Sequence, residues 1–352
     1  MNKKILIVDD SALMRKLLRE IFESDGYEVA TARNGVEAIE MNNTFQPDII
    51  TLDINMPDMD GLTALSHIMI QRPVPVIMVS SLTEEGVLAT FEALNLGAID
   101  YVTKPGGTIS LNIDKIRDEL LLKVNAALKS RLRTGHIIRK IRAEREKITK
   151  AKTTPLTSTD EGVVLIGSST GGPRTLEEIL QELPEDFSLP VVVAQHMPAT
   201  FTKSFAERLN AVCKLNVTEV NRPLTLERGN IYIGKGEADV VITRRTGKLM
   251  VQIKPENPKF LWHPSVEVLG RSALENIDPR KIIAVMLTGM GYDGSDAFAE
   301  IMKRGGKTIA ESEETAVVFG MPRELIEKGG ATVILPAQEI PKQIIKWAKN
   351  FN

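Results

Sequence analysis

The chain has 352 residues, which is enough for about two domains that each bury a core. No apolar run in it approaches the roughly 18 to 20 residues of a membrane span. The single cysteine, Cys213, excludes an intrachain disulfide, and the four histidines lack the spacing of zinc ligands. We therefore expect a cytoplasmic protein with no membrane insertion.

Charge divides the chain into three segments. Residues 1–122 have a net charge of −9, from 10 Lys and Arg against 19 Asp and Glu. Residues 123–154 have a net charge of +9, from 11 against 2, and the remainder has −2. This distribution predicts an acidic domain over 1–122, a basic linker over 123–160 and a near-neutral domain over 161–352.

In the first segment, apolar strand-like runs alternate with helix-like segments, which predicts a doubly wound parallel sheet with helices on both faces. The predicted strands are Ile5–Val8, Asp48–Leu52, Val76–Val79 and Tyr101–Thr103, and the helices are Ala12–Phe22, Val36–Met41, Gly61–Ile70 and Glu84–Leu94.

Polar residues follow these strands directly. Ligands of an open α/β sheet bind outside the carboxyl ends of its strands, so the polar residues should meet in one crevice. They are Asp9, Asp10, Asp53, Ser80 and Lys104.

Three carboxylates in one crevice would repel each other unless a cation neutralised them, and an all-oxygen set suits Mg²⁺ better than zinc. With Mg²⁺ bound, an aspartate can attack a phosphoryl group, while Lys104 and the Ser80 hydroxyl hold the phosphate oxygens. Helix caps and surface acids are the alternative interpretation. That alternative is favoured for one Asp-Asp pair alone, but not for the whole set.

This arrangement resembles a two-component receiver domain, with its flavodoxin-like fold. The resemblance implies phosphorylation of Asp53, with Mg²⁺ held by Asp10, Asp53 and the carbonyl of Asn55 and assisted by Asp9. It also implies a cis peptide bond between Lys104 and Pro105 and a rotamer switch at Tyr101.

The segment from Lys123 to Lys152 is basic and has a patchy helical pattern interrupted at Gly135, followed by a loop over 153–159. A solvated, partly helical linker is the favoured interpretation. A nucleic-acid role is disfavoured because no aromatic residue between 102 and 186 could stack on bases. The adjoining charges of opposite sign favour docking of the linker on its own receiver, or on an acidic partner.

The second domain opens with the apolar run Val163–Ile166, the glycine-rich stretch Gly167–Gly172 and a helix-like segment, Thr175–Leu183. This is strand, tight turn and helix, and Gly167 to Gly171 fits the pattern G-x-S-x-G with Ser169 at its centre. Free N–H groups of the helix start, at Thr170, Gly171 and Gly172, would lie beside the hydroxyl. Ser169 is thus a candidate nucleophile. A glycine-rich turn that binds phosphate or merely reverses the chain is the alternative.

Later apolar runs predict a second parallel, Rossmann-like sheet, with shorter strands between them. His196 ends the strand after Ser169, where a histidine can reach the nucleophile as its base. His263 is the competitor, but no apolar strand precedes it. The runs are Val191–Ala194, Ile231–Ile233, Ile282–Leu287 and Thr332–Leu335.

Asp293 lies in the glycine-laced loop Thr288–Gly294, after a buried strand, where the acid of a catalytic triad could be placed. The alternative is an aspartate that caps the following helix. The order Ser, His, Asp differs from the Ser, Asp, His order of α/β-hydrolases, so that fold is not expected.

With a receiver ahead of them, four segments resemble the chemotaxis protein-glutamate methylesterases. The resemblance implies a triad of Ser169, His196 and Asp293, an oxyanion donor at the N–H of Met290 and no cofactor in the esterase domain. It implies methyl-accepting chemotaxis receptors as substrates, a chemotaxis histidine kinase as phosphodonor, and often deamidation of receptor glutamines. The segments are Gly167–Gly172, Gln195–Pro198, Leu287–Gly294 and Val317–Pro322.

Two segments depart from the family pattern. Tyr232–Asp239 lacks the expected Ala-Pro-Gly and the later His-Met, and Glu311-Ser312 stands where Gln-Asp is usual. These departures leave the hydrolytic chemistry intact and bear on fine specificity and deamidase activity. A non-catalytic response regulator, whose second domain is a phosphorylation-controlled binding module, is the rival interpretation.

Overall fold

A computed structural model of the chain describes residues 3–81, 83–104, 113–129 and 162–349. The chain forms two compact units that divide between residues 147 and 148. Most of the predicted linker lies outside the described residues, as does the peptide bond between Lys104 and Pro105. None of the described helices is long and apolar enough to cross a membrane.

The first unit is a five-stranded sheet in the order β2-β1-β3-β4-β5, in which every neighbouring pair is parallel. This confirms the doubly wound fold expected for a receiver. Its strands are β1 (Lys4–Val8), β2 (Glu28–Ala32), β3 (Ile49–Asp53), β4 (Val76–Ser80) and β5 (Asp100–Thr103), and its helices are α1 (Ala12–Ser24), α2 (Gly35–Thr44), α3 (Gly61–Gln71), α4 (Glu84–Leu96) and α5 (Ile113–Ala127).

The helix α5 continues beyond residue 122, where the sequence analysis ends the receiver. Val124 and Ala127 are fully buried, and the Asn125 amide oxygen accepts a hydrogen bond from the Tyr27 hydroxyl. Lys123, with which the predicted linker begins, donates to the Tyr101 carbonyl and pairs with Glu119. The first residues assigned to the linker therefore pack on the receiver as part of its last helix.

The second unit is built on a seven-stranded parallel sheet in the order β15-β14-β13-β6-β7-β10-β8, with a three-stranded antiparallel sheet in the order β11-β12-β9. Its strands are β6 (Val163–Ser168), β7 (Val191–Gln195), β8 (Asn216–Val220), β9 (Leu224–Thr225), β10 (Asn230–Gly234), β11 (Asp239–Arg245), β12 (Lys248–Lys254), β13 (Ile282–Met286), β14 (Lys307–Glu311) and β15 (Val333–Leu335). Its helices are α6 (Gly172–Leu180), α7 (Ala199–Val212), α8 (Val266–Asn276), α9 (Ser295–Lys303), α10 (Met321–Glu327) and α11 (Ile340–Ala348).

The strand β6 lies at the centre of this sheet, with β7 on one side and β13 on the other. The chain leaves β6 in one direction and later returns to its opposite side, so the carboxyl end of β6 is a topological switch point, where such sheets bind ligands. Residues that follow β6, β7 and β13 therefore share one edge. The triad predicted from the sequence comes from these three strand ends.

Candidate active site

The nucleophile turn is a sharp reversal between β6 and α6. Gly171 has a φ of +78°, and a Cβ there would lie 2.6 Å from the Val317 Cβ, so the turn requires glycine. The Ser169 N–H donates to the Thr288 carbonyl at 3.0 Å, which leaves the serine on the turn at the sheet edge. The helix begins at Gly172, three residues before the predicted start, so its first turn lies directly beside Ser169.

Gln195, which was not among the predicted site residues, ties the turn to the next strand. It lies opposite Ser168 in the parallel register of β6 and β7. Its amide oxygen accepts from the Ser168 hydroxyl at 2.7 Å, and its Nε2 donates to the carbonyls of Ser169 and His196 at 2.9 and 3.0 Å. A Cβ on Gly172 would lie 2.0 Å from that amide oxygen. These contacts of Gln195 fix the position of the turn relative to His196.

His196 lies next to Ser169 across the sheet edge, since its N–H donates to the Ser168 carbonyl at 3.1 Å. The Nε2 atom of its ring lies 2.9 Å from Oδ2 of Asp293. The other ring nitrogen, Nδ1, is buried and has no hydrogen-bond partner among the described residues. A histidine fixed by an acid at one nitrogen and free at the other is the arrangement that a general base requires.

Asp293 is buried and is held by four hydrogen bonds. Besides His196, it accepts from the Ser265 hydroxyl at 2.9 Å and from the N–H groups of Val266 and Glu267 at 2.7 and 3.1 Å. It therefore sits at the start of α8. The helix that follows it, α9, has Gly294 as its N-cap and no side-chain cap, so the alternative of a locally capping aspartate does not describe this residue.

The pKa of Asp293 is below its ordinary value. Burial by itself raises that pKa, but the hydrogen bond and charge of His196 and the N–H groups of Val266 and Glu267 outweigh it. The carboxylate is thus ionised, as the partner of an imidazolium must be.

Four peptide N–H groups were candidates for the oxyanion site. That of Gly172 donates to the Ser169 carbonyl at 2.8 Å, so it already has an acceptor within the turn. Those of Thr170, Gly171 and Met290 have no hydrogen-bond acceptor among the described residues. The Met290 loop lies against Ser169, because a Cβ on Gly289 would be 2.8 Å from the Cβ of Ser169.

Thr288, another residue missed from the sequence, fixes the turn from β13. Its hydroxyl donates to the Thr170 carbonyl at 2.9 Å and accepts from the Val318 N–H at 2.9 Å. Its own N–H donates to the buried Glu311 carboxylate at 2.8 Å. Glu311, one of the departures from the family pattern, therefore supports the nucleophile turn through Thr288.

His263 is paired with Asp239 through Nδ1, at 2.8 Å, and not with Asp293. It is therefore not the base of the triad. Asp239 closes the other departing segment, Tyr232–Asp239, so that segment contributes a carboxylate close to the site. Trp262, which precedes His263 in the chain, stacks on the ring of His196.

The receiver brings its predicted acids together. Carboxylate oxygens of Asp9, Asp10 and Asp53 lie within 4.8 Å of one another, and the first and last are buried. The Lys104 ammonium lies 2.9 Å from Asp9 and 2.7 Å from Asp53. Burial raises the pKa of Asp53, Lys104 opposes this rise and Asp9 adds to it, with a net increase. These three carboxylates could hold a cation.

The remaining predicted receiver residues lie around this cluster. The buried Ser80 hydroxyl donates to the Gly86 carbonyl at 3.2 Å and accepts from the Thr90 hydroxyl at 2.8 Å, so it contacts α4. Tyr101 is buried in β5. Asn55 is exposed in the loop after Asp53. Their roles as phosphate donor, switch and metal ligand stay predictions.

Comparisons with known proteins identify a family for both parts of the chain. The family model described as CheB methylesterase matches residues 164–344, and that of the response regulator receiver domain matches residues 5–113. A protein-glutamate methylesterase/protein-glutamine glutaminase of Rhodospirillum rubrum is 53% identical over 98% of this chain and 96% of its own. One from Pyrococcus horikoshii is 41% identical over 97% and 93%.

Among solved structures, the CheB methylesterase catalytic domain of Thermotoga maritima matches with a TM-score of 0.52 and 40% identity. The match covers 53% of this chain and 99% of that domain. This chain belongs to the CheB methylesterase family, with a receiver domain ahead of the methylesterase domain.

Proposed function

We propose that the chain hydrolyses methyl esters of glutamate side chains on proteins, and that phosphorylation of its receiver controls the rate. The observation that carries the proposal is the buried His196 ring, bonded to Asp293 at Nε2 and without a partner at Nδ1, beside a serine on a sharp turn. The names of the relatives supply the ester and the amide as substrate classes.

In the first step, the Ser169 hydroxyl attacks the γ-carbonyl of the ester and its proton passes to Nδ1 of His196. Asp293 stabilises the imidazolium that forms. The N–H groups of Thr170, Gly171 and Met290 would hold the oxyanion, at about 3 kcal/mol per donor. The proton then moves from Nδ1 to the methoxy oxygen, and methanol leaves.

In the second step, water attacks the acyl-enzyme and gives its proton to Nδ1, and collapse of the intermediate returns that proton to Ser169. The product is a free glutamate side chain. Glutamine deamidation follows the same path, with ammonia leaving in place of methanol.

Replacement of Ser169 by alanine tests the proposal. We expect methanol release from a methylated chemoreceptor to fall by at least about 10³-fold, because no other group can form the acyl-enzyme. The control is Ser204→Ala on α7, which removes a hydroxyl outside the site. Activity of Ser169→Ala within a few-fold of wild type would contradict the assignment.

The family further points to methyl-accepting chemotaxis receptors as substrates and a chemotaxis histidine kinase as phosphodonor. In the receiver, Asp53 would accept the phosphoryl group and Lys104 would pair with it. A non-catalytic binding module is the weaker candidate, because such a module does not need an acid, a base and a serine in this order at one sheet edge.

The acidic cluster fits Mg²⁺. Carboxylate oxygens of Asp9, Asp10 and Asp53 lie within 4.8 Å of one another, and the Lys104 ammonium, at 2.9 and 2.7 Å from Oδ2 of Asp9 and of Asp53, is a single positive charge beside three carboxyl groups. Asp9, Asp10 and Asp53 would hold the ion, with the carbonyl of Asn55. When bound, Mg²⁺ would offset the negative charge of the phosphoryl group at Asp53.

A further inference from the structure

His196 must present Nδ1 to Ser169, yet its hydrogen bonding does not by itself fix the plane of its ring. The second side-chain torsion of histidine is broad, and a single hydrogen bond at Nε2 leaves the ring free to turn about that atom. A catalytic rotamer needs packing to lock it. Something must therefore hold the face of the imidazole.

Trp262 covers that face. The two ring planes differ by 9° and their centroids are 5.8 Å apart, which is an offset stack. The other contacts of Trp262 hold it there: the Tyr292 ring meets it edge-on at 5.5 Å, and Gly291 packs against the indole so closely that a Cβ would lie 2.6 Å from it.

The backbone beside Trp262 is also fixed. The buried Asp239 carboxylate accepts from the His263 ring at 2.8 Å and from the Ser265 N–H at 2.9 Å. The Ser265 hydroxyl in turn donates to Asp293 at 2.9 Å. Ser265 thus connects Asp239, which fixes the loop, to Asp293, which pairs with the catalytic histidine.

We propose that Trp262 is a positioning residue for the esterase reaction, which holds the His196 ring in the plane that directs Nδ1 at Ser169. The predicted effect of Trp262 on the reaction rate rests on the proposed esterase function. The pairing of the two rings is independent of activity.

Fluorescence tests the pairing. In a Trp347→Phe background, Trp262 is the one tryptophan of the chain. A protonated imidazole quenches a stacked indole. The emission of Trp262 should therefore fall when the pH is lowered and His196 is protonated, in the full-length protein with no substrate. The fall should vanish in His196→Asn and persist in His263→Asn. The pairing would be overturned if the emission still fell in His196→Asn, or if the fall disappeared in His263→Asn and not in His196→Asn.

Kinetics test the positioning role. We expect Trp262→Ala to lower kcat for methanol release by roughly 10- to 100-fold with KM changed by less than about twofold, since a misdirected base slows the chemical step and not binding. Trp262→Phe should recover most of the rate because it keeps a ring on the imidazole. Trp347→Ala, on α11, is the matched control.

Two results would overturn this role: a kcat of Trp262→Ala within about twofold of wild type, or a rise in KM alone. The second would mean that Trp262 contacts substrate. Failure of the proposed function is seen separately, as retained activity in Ser169→Ala, and would leave the fluorescence titration unchanged.

Discussion

At the scale of single residues, Asp293 contacts both the proposed catalytic histidine and the start of α8. One of its oxygens bonds His196 and the Val266 N–H, and the other bonds the Ser265 hydroxyl and the Glu267 N–H. A substitution can therefore remove the charge while keeping one accepting oxygen, or remove the charge and both accepting oxygens.

We predict that Asp293→Asn lowers kcat by about 10³- to 10⁴-fold, because the amide cannot stabilise the imidazolium. It should cost less stability than alanine, since the amide oxygen still accepts from one of the two N–H groups at the start of α8, whereas the amide NH2 leaves the other N–H without an acceptor. Rates of methanol release and urea unfolding measure the two effects. An Asn variant within tenfold of wild type would contradict a triad role for Asp293.

Asp293→Ala should add a loss of stability, because each buried donor left unpaired costs about 1–3 kcal/mol. The pKa of Asp293 is lowered in the fold, so its stabilising effect is full above the unfolded value of about 3.9 and is lost as pH falls through the folded value. The difference in unfolding free energy between wild type and the Ala variant should therefore shrink below about pH 4. Asp186→Asn, at an exposed site, is the control.

At the scale of elements, the nucleophile turn depends on a strand remote in sequence. β13 pairs with β6 in parallel register, and the loop after it delivers Thr288 to the turn. Thr288 is itself held by Glu311, at the end of β14, which accepts a hydrogen bond from the Thr288 N–H. The turn between β6 and α6 is therefore built from three strand ends.

We predict that Thr288→Val lowers kcat roughly tenfold and costs about 1–3 kcal/mol of stability, because the Val318 N–H loses its acceptor and the Thr170 carbonyl its donor. Thr288→Ser keeps the hydroxyl and should restore the rate. Steady-state kinetics and urea unfolding of both variants check this. Equal rates in the Val and Ser variants would show that the hydroxyl does not position Ser169.

At the scale of the whole molecule, both units place their functional groups at the carboxyl ends of parallel strands. We propose that the unphosphorylated receiver inhibits the esterase and that phosphorylation of Asp53 relieves this inhibition. Recruitment of the receptor by the phosphorylated protein, helped by the basic segment 123–154, is the alternative.

Removal of the receiver distinguishes relief of inhibition from recruitment of the receptor. Because α5 extends to Ala127, the cut belongs after residue 147 and not after residue 122. We expect the fragment 148–352 to exceed the unphosphorylated full-length protein in kcat/KM by roughly 5- to 150-fold, the range of a coupling of about 1–3 kcal/mol. Asp53→Ala should block activation by a small phosphodonor. A fragment no faster than the full-length enzyme would favour recruitment.

Long apolar runs made most of the fold predictable. The predicted strands agree with the observed ones within two residues, because a strand buried on both faces is apolar throughout. Six of the described strands were not located: β2, β8, β9, β11, β12 and β14. The sequence of β14, Lys-Thr-Ile-Ala-Glu, shows why, because it has no such run and ends in a buried carboxylate. The start of α6 was also misplaced, because a glycine in the left-handed region can begin a helix without a capping side chain.

The sequence by itself determined the two parallel sheets and the residue types at their strand ends, because apolar periodicity and glycine-rich turns are local signals. Ser169, His196 and Asp293 could be found in this way. Only the tertiary structure decided which ring nitrogen of His196 is free, that Asp293 caps α8, and that Gln195, Thr288 and Trp262 contact the site residues. These contacts join segments 27 to more than 100 residues apart, and no local pattern specifies which side chains will meet across a sheet edge.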